Sequence, residues 1–364
     1  MGKILLVGGA GYVGSVLTQE LLERGYAVKI LDRLYFGDEG IESCRDRVDL
    51  IRADMRRLPD RLLTDVQSVI NLGGLSNDPT AEYNPTANYQ MNTEASLELA
   101  KACLVAGEQR YVFASSCSIY DQGVGNDERD VLLDEESEVN PRAAYSGSKR
   151  AGELGLLQMA SDQFCPVILR KATIYGYSPR MRYDLVVNTF VKDALTRGYI
   201  MLHFGGEMWR PLVDVHDVAQ AYILALTAEA EKVRGQIFNV VYQNCRISEI
   251  GLRVRDALRS VKVECDVRVD YGYRGVRNYR VSGKKIDRVL GFRPKIGIEE
   301  SAIDMAKKIQ TQDREELLHP KHYNIRWMQT LEQAKQVIDV TGSVFGPGFP
   351  EVAGQENPSK GGQA

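Results

Sequence analysis

Along the first 170 residues, short apolar runs rich in β-branched side chains alternate with stretches in which apolar positions recur at helical spacing. The runs KILLVG, AVKILD, VDLIRAD, SVINLGG, RYVFASS and PVILRKATIYG read as strands, and SVLTQELLERG reads as the amphipathic helix behind the first of them. That alternation predicts an α/β fold built on a doubly wound parallel sheet. After Ile174 the pattern turns mixed, with helices predicted over 185–196, 217–226 and 248–261 and a short strand over 236–241. The acidic segment 121–138 follows neither period and reads as a surface loop. From about Thr341 the chain is dominated by Gly, Pro and polar residues, which predicts a loosely packed tail over 341–364. No internal repeat is present.

Composition narrows the class. The 364 residues are 44% hydrophobic and 26% charged, enough to bury a sizeable core. A formal net charge of -3 gives no global drive toward nucleic acid or an anionic membrane, so an anionic partner must be held by local cations. No apolar run approaches the roughly 18 residues of a membrane span. Cys44, Cys103, Cys117, Cys165, Cys245 and Cys265 show no CxxC spacing and no metal-ligand pattern, and MGKILLVGG runs straight into a strand rather than a leader. The expectation is a cytoplasmic protein without metal.

The first apolar strand runs directly into Gly8-Gly9-Ala10-Gly11-Tyr12-Val13-Gly14 and then into a helix. Glycines at 8, 11 and 14 allow a tight turn, close approach of a pyrophosphate and close helix-to-strand packing, while the helix N-terminus favours negative charge. The second strand ends in Asp32, where a carboxylate accepts both hydroxyls of an adenosine ribose and repels a 2′-phosphate. NAD is therefore expected over NADP, although Arg33 stands beside that carboxylate. Asp54 and Met55, at the end of the next strand, are candidates for the adenine edge, and Tyr12, Val13 and Leu72 complete the expected cofactor set.

Tyr145 and Lys149 stand four apart among good helix formers, so both point to one helix face. A phenol is a poor base at neutral pH, and a neighbouring ammonium stabilises its ionised form. Upstream, RYVFASSCSIY ends in hydroxyls where a parallel sheet places its ligands, and Ser116 is positioned to donate to the oxygen that Tyr145 deprotonates.

Together GGAGYVG, the Asp32 strand end, Asn92 in YQMNTEAS, SSCSIY, YSGSK and KATIYG resemble the extended short-chain dehydrogenase/reductase family, in its NAD-dependent nucleotide-sugar epimerase/dehydratase group. The resemblance spans about residues 3–309 and implies a Rossmann-type domain over 1–172, joined again by segments around 212–243. It implies a smaller mixed α/β domain over 173–340 for a nucleotide-diphosphate sugar. Ser116, Tyr145 and Lys149 match the family's triad, and Asn92 matches the residue that braces the active-site helix. Val7 departs from the Thr common before the first glycine. In the second half, Arg210 matches a cation that grips the substrate diphosphate. Arg274 or Arg277 resembles a second clamp, the family's usual Asp after Arg-Gly being Val276 here. Asn188 matches a sugar-nucleotide contact, Phe204 is a candidate to pack on the base, Ser118 and Thr173 join the substrate set, and His216 reads as a turn or capping residue.

The 4,6-dehydratases of the family carry Asp-Glu directly after the catalytic Thr, whereas those slots hold Cys117 and Ser118 here. Paired acid–base elimination at C6 is therefore disfavoured. Three readings remain: 4-epimerisation, which is favoured; net 4-oxidation with NADH retained; and 4-keto formation followed by 3- or 5-epimerisation, in which a Cys117 thiolate would exchange protons beside the ketone. Arg180 and Arg182 read either as charge near this pocket or as surface cations. The segments 86–106 and 143–159 suit a four-helix homodimer seam. Readings of a different class, a non-catalytic NAD-binding sensor or an assembly scaffold, leave the Tyr145/Lys149 spacing beside Ser116 unexplained.

Overall fold

The computed structural model describes residues 2–107, 110–120, 131–139, 141–272 and 277–342. Seven parallel strands form the central sheet. From one edge to the other they run Val48–Arg52, Val28–Asp32, Lys3–Val7, Val66–Asn71, Arg110–Ser116, Cys165–Lys171 and Gln236–Val240. The order reverses beside Lys3–Val7, and in doubly wound sheets a crevice for ligands opens at the carboxyl end of that switch point. The strands read as unbroken apolar runs because helices cover both faces: Leu5, Ile30, Val69, Val112 and Leu169 are all at most 1% exposed. Helices Tyr12–Glu23 and Val215–Thr227 pack together, as do Ala95–Ala106 and Ala144–Met159. The fold is the Rossmann-like α/β fold that the alternation implies.

The mixed second half forms helices Val186–Arg197, Val215–Thr227 and Ile247–Ser260, close to the expected spans. A three-stranded sheet joins Thr173–Tyr175, Trp209–Asp214 and Gln243–Arg246. The strand Gln236–Val240 returns to the central sheet alongside Cys165–Lys171.

Two features were not legible in the periodicity. Leu132–Leu133 pairs in parallel with Arg280–Val281, and Glu135 accepts a hydrogen bond of 2.7 Å from the backbone N–H of Asn239, so this part of the acidic segment is docked rather than free loop. The C-terminal helix Asn324–Thr341 returns to the sheet's ligand edge, where Asn324 Nδ2 donates to Ser76 Oγ at 2.9 Å. Such contacts between residues remote in sequence leave no local pattern. Arg274 and the tail from residue 343 lie outside the described residues.

Candidate active site

A cavity opens at the carboxyl ends of the central strands, lined by the glycine turn, Asp32, Met55, Leu72, Ser116, Tyr145, Lys149 and Thr173 among others. At the turn, Gly8 adopts φ 79°, a left-handed conformation that glycine reaches without strain. A Cβ on Gly14 would stand 2.1 Å from the Gly8 carbonyl oxygen and 2.7 Å from Gly9 Cα, so only hydrogen fits where helix meets turn. Gly11 caps the helix without a side-chain acceptor, which leaves the first-turn N–H groups directed at the cavity edge. The geometry fits a pyrophosphate.

Asp32 accepts from the backbone N–H groups of Leu34 at 2.8 Å and Ala10 at 3.1 Å, which orient its carboxylate. Burial raises its pKa, opposed by those two hydrogen bonds and by Arg180. Arg33, the residue that clouded the choice of cofactor, is bonded at 2.6 Å to Asp54. Asp54 also binds Arg56, and although burial works against ionisation, the cations around it hold its pKa at about 2. Its carboxylate is thus committed to arginines, and Met55 rather than Asp54 lines the cavity. Tyr12 lines the cavity, and its hydroxyl is held inside the protein. Its hydroxyl donates to the Gly176 carbonyl at 2.7 Å within the core.

Tyr145 and Lys149 lie on the helix Ala144–Met159, both nearly buried. The Tyr145 phenol faces the same cavity as the Ser116 side chain, and Ser116 Oγ accepts from the Ser118 N–H at 3.1 Å. Burial pushes the phenol above its ordinary pKa, and Arg277, the Ser116 hydroxyl and Arg182 pull it back. Burial lowers Lys149 to about 8, with Glu153 opposing, and its Nζ sits 5.1 Å from the Phe113 ring centroid. Asn92 lies in a π-helical turn, Gln90–Glu94, a distortion frequent at functional sites. Its Nδ2 lies 2.9 Å from the Leu75 carbonyl and 3.1 Å from Ser148 Oγ, which pins the helix that carries Tyr145. Its buried Oδ1 has no partner among the described residues, and both that atom and Lys149 Nζ crowd Gly74, where a Cβ would stand 2.2 and 3.6 Å from them. The turn, the Asp32 carboxylate and this orphaned oxygen fit a dinucleotide lying along the strand ends.

Behind the site, Glu153 joins three elements. It accepts from Ser115 Oγ at 2.5 Å, from Arg170 Nε at 2.9 Å and Nη2 at 2.8 Å, and from Arg150 at 3.0 Å. The helix carrying Tyr145 is thereby fixed to the strand carrying Ser116.

In the second half, Arg210 Nη1 donates to the carbonyl of Arg277, and Arg277 pairs with Asp78. The structure therefore brings the two clamp candidates together, with Arg277 on the cavity wall. Arg246 and Arg280 stand 5.2 and 5.1 Å from the Trp209 ring, adding charge at the same end. Arg180 and Arg182, both under a tenth exposed, line the cavity and are not surface cations. Phe204 is half-buried at φ 52° on a turn outside the cavity lining.

Three expected contacts are corrected. Cys117 is fully buried, its thiol donates to the Arg170 carbonyl at 3.1 Å, and burial drives its pKa far up, so no thiolate faces the cavity. Ser118 is buried beside it, away from the cavity lining. Asn188 is fully buried, accepting from Gly176 N–H at 3.0 Å and donating to the Arg182 carbonyl at 2.9 Å and the Tyr12 hydroxyl at 3.1 Å. It shapes the wall without facing a ligand. His216 starts a helix, its N–H bonded to the capping carboxylate of Asp214 at 2.8 Å, which suits the turn role.

The sheet, with its switch point at the glycine turn, places the chain among dinucleotide-binding α/β proteins. Residues 4–240 match the NAD dependent epimerase/dehydratase family, and the chain belongs to it. It is 31% identical over 279 residues to a UDP-glucose 4-epimerase of Azospirillum brasilense, covering 71% of this chain and 76% of that one. It is 25% identical over 311 residues to a UDP-N-acetyl-alpha-D-glucosaminuronate decarboxylase of Bacillus cytotoxicus, covering 82% and 94%. Among solved structures, the UDP-glucuronic acid 4-epimerase of Bacillus cereus in complex with NAD superposes with a TM-score of 0.73 at 20% identity, covering 86% of this chain and 97% of that one. That last likeness concerns the fold. The chain is thus an enzyme of an NAD-dependent nucleotide-sugar family whose members include epimerases, dehydratases and decarboxylases.

Proposed function

We propose that the protein is a nucleotide-sugar 4-epimerase, which oxidises the sugar at C4 and returns the hydride to the opposite face of the ketone. The observation that carries this reading is the convergence of Ser116, Tyr145 and Lys149 on the cavity that also holds the glycine turn. NAD, when bound, supplies the hydride acceptor and donor.

Tyr145 takes the proton from the C4 hydroxyl, and Ser116 hydrogen-bonds to the same oxygen. Lys149, at about 8, is mostly cationic at neutral pH and favours the phenolate beside it. The cluster of Arg210 and Arg277 holds the substrate diphosphate through forked donors, and the chain after residue 173 mainly forms the sugar-nucleotide side. Asp32 selects NAD over NADP by accepting the ribose hydroxyls. Burial of Cys117 and Ser118 supports chemistry confined to C4, since neither supplies an acid or base beside the ring. A homodimer through 86–106 and 143–159 fits the exposed Tyr83, Tyr89, Val105 and Leu154, and six free, buried thiols fit a reducing compartment such as the cytoplasm.

The test is to incubate the purified protein with UDP-glucose and, separately, UDP-glucuronate, and to identify products by NMR. The C4 epimer should form with wild type and be lost in Tyr145→Phe. A product that has lost carbon dioxide or water without inversion at C4 would replace this reading.

A further inference from the structure

The C-terminal helix Asn324–Thr341 lies beyond residues 4–240, the part that matches the family, and the chemistry at C4 does not involve it. It begins at the cofactor end of the cavity. In the central sheet the strand Lys3–Val7, which leads into the glycine turn, stands between Val28–Asp32 and Val66–Asn71. The loops that leave those two neighbours form lips on either side of the turn. Tyr35 and Phe36 stand on one lip and Ser76 on the other, and all three line the cavity.

The helix is tied to both lips. Trp327 Nε1 donates to the Tyr35 carbonyl. Asn324 Nδ2 donates to Ser76 Oγ at 2.9 Å, its Oδ1 accepts from Arg180 at 2.7 Å, and its backbone N–H donates to Asp184 at 3.3 Å. The Arg180 guanidinium lies 3.8 Å from the centre of the Phe36 ring, so this network returns to the first lip. Met328, one helical turn beyond Asn324 and on the same face, also lines the cavity, whereas Trp327 lies outside the lining. The first turns of the helix thus bridge the lips on either side of the glycine turn, across the way out for a dinucleotide seated there. Their hold is local. From Glu332 to Val340 every residue is exposed, and an element packed only at its start opens without unfolding the rest of the protein.

We propose that this helix is a gate on the cofactor site. Latched through Trp327 and Asn324 it keeps NAD in place during turnover, and NAD enters and leaves only when the first turns lift. The inference goes beyond the reaction at C4 and is independent of which nucleotide sugar the site accepts.

The latch can be weakened from outside the cavity. Trp327→Phe keeps a ring and removes the N–H bonded to Tyr35, and one ordinary hydrogen bond corresponds to about a fivefold change in how often the latch opens. Stopped-flow fluorescence on the full chain, with NADH as the probe, measures entry and exit. Both should quicken about fivefold in the variant while the Kd stays within about twofold, because a gate changes the path and not the bound state. Unchanged rates overturn the inference. So does faster exit alone with a Kd weakened in step, which would make Trp327 a support of the site. Wild type provides a second reading that needs no substitution: saturating NAD should slow hydrogen exchange of the amides in the first two turns from Asn324, and equal exchange with and without NAD overturns the inference as well. Absence of NADH binding overturns it together with the cofactor assignment. A melting curve shows whether the variant is folded.

Discussion

Replacing Glu153 by Gln should damage both the fold and the catalytic geometry. Glu153 is fully buried and Arg170, its bidentate partner, is 1% exposed. The substitution keeps the shape and removes the charge, so Arg170 loses its counter-charge and one of its two bonds to residue 153, keeping one amide oxygen and the Tyr120 hydroxyl, 2.7 Å from its Nη1. Stranding one member of a buried pair costs about 3–5 kcal/mol, a large share of the roughly 5–15 kcal/mol that holds a domain together. Solvent screening does not soften that figure at such burial. The same change leaves one oxygen for the donors of Ser115 and Arg170 and loosens the helix carrying Tyr145 from the strand that carries Ser116, so turnover should fall as well. Urea unfolding of wild type, Glu153→Gln, and the double variant Glu153→Gln with Arg170→Met reads the effect. The single variant should lose several kcal/mol and the double variant should regain part of it. A loss below about 1 kcal/mol in the single variant would refute the reasoning, because the pair would then be solvated.

Three other outcomes follow from named contacts. Gly14→Ala places a Cβ 2.1 Å from the Gly8 carbonyl, so stability should drop by about 1–3 kcal/mol and NAD affinity should fall; unchanged melting and calorimetry would show that the turn relaxes. Asp214 is buried with its carboxyl raised to about 7, so its stabilising effect is full below its unfolded value near 4 and fades as pH rises through 7. Asp214→Asn should remove that decline, at most roughly 1.4 kcal/mol per pH unit, and parallel unfolding profiles for the two proteins would reject the assignment. Arg210→Ala should weaken nucleotide-sugar binding far more than NAD binding by calorimetry, and equal loss of both would make Arg210 structural.

Much of this architecture is written locally. The apolar runs predict the parallel sheet, the glycine spacing predicts the turn, and the four-residue interval puts Tyr145 and Lys149 on one face. What escaped depends on direction and distance. After Ser116 the chain enters a tight helical turn, Cys117–Tyr120, which swings Cys117 into the core, so adjacency in sequence to Ser116 misled. Asn188 carries a suitable amide, but three core hydrogen bonds engage it. Lys171, which also lines the cavity, had one available signal, a lysine at the end of a buried strand beside the one bearing Ser116. Asn324 had none, because it reaches the cavity wall from a helix 248 residues away from its partner Ser76.

The central claim is reversible oxidation at C4 with every other ring hydrogen left in place. A nucleotide sugar carrying deuterium at C4, turned over by the wild-type protein in ordinary water, tests it directly. The account predicts that the deuterium stays at C4 in the inverted product and that C3 and C5 acquire no solvent hydrogen in the reciprocal run in heavy water. Loss of the label from C4, or solvent deuterium at C3 or C5, would contradict it.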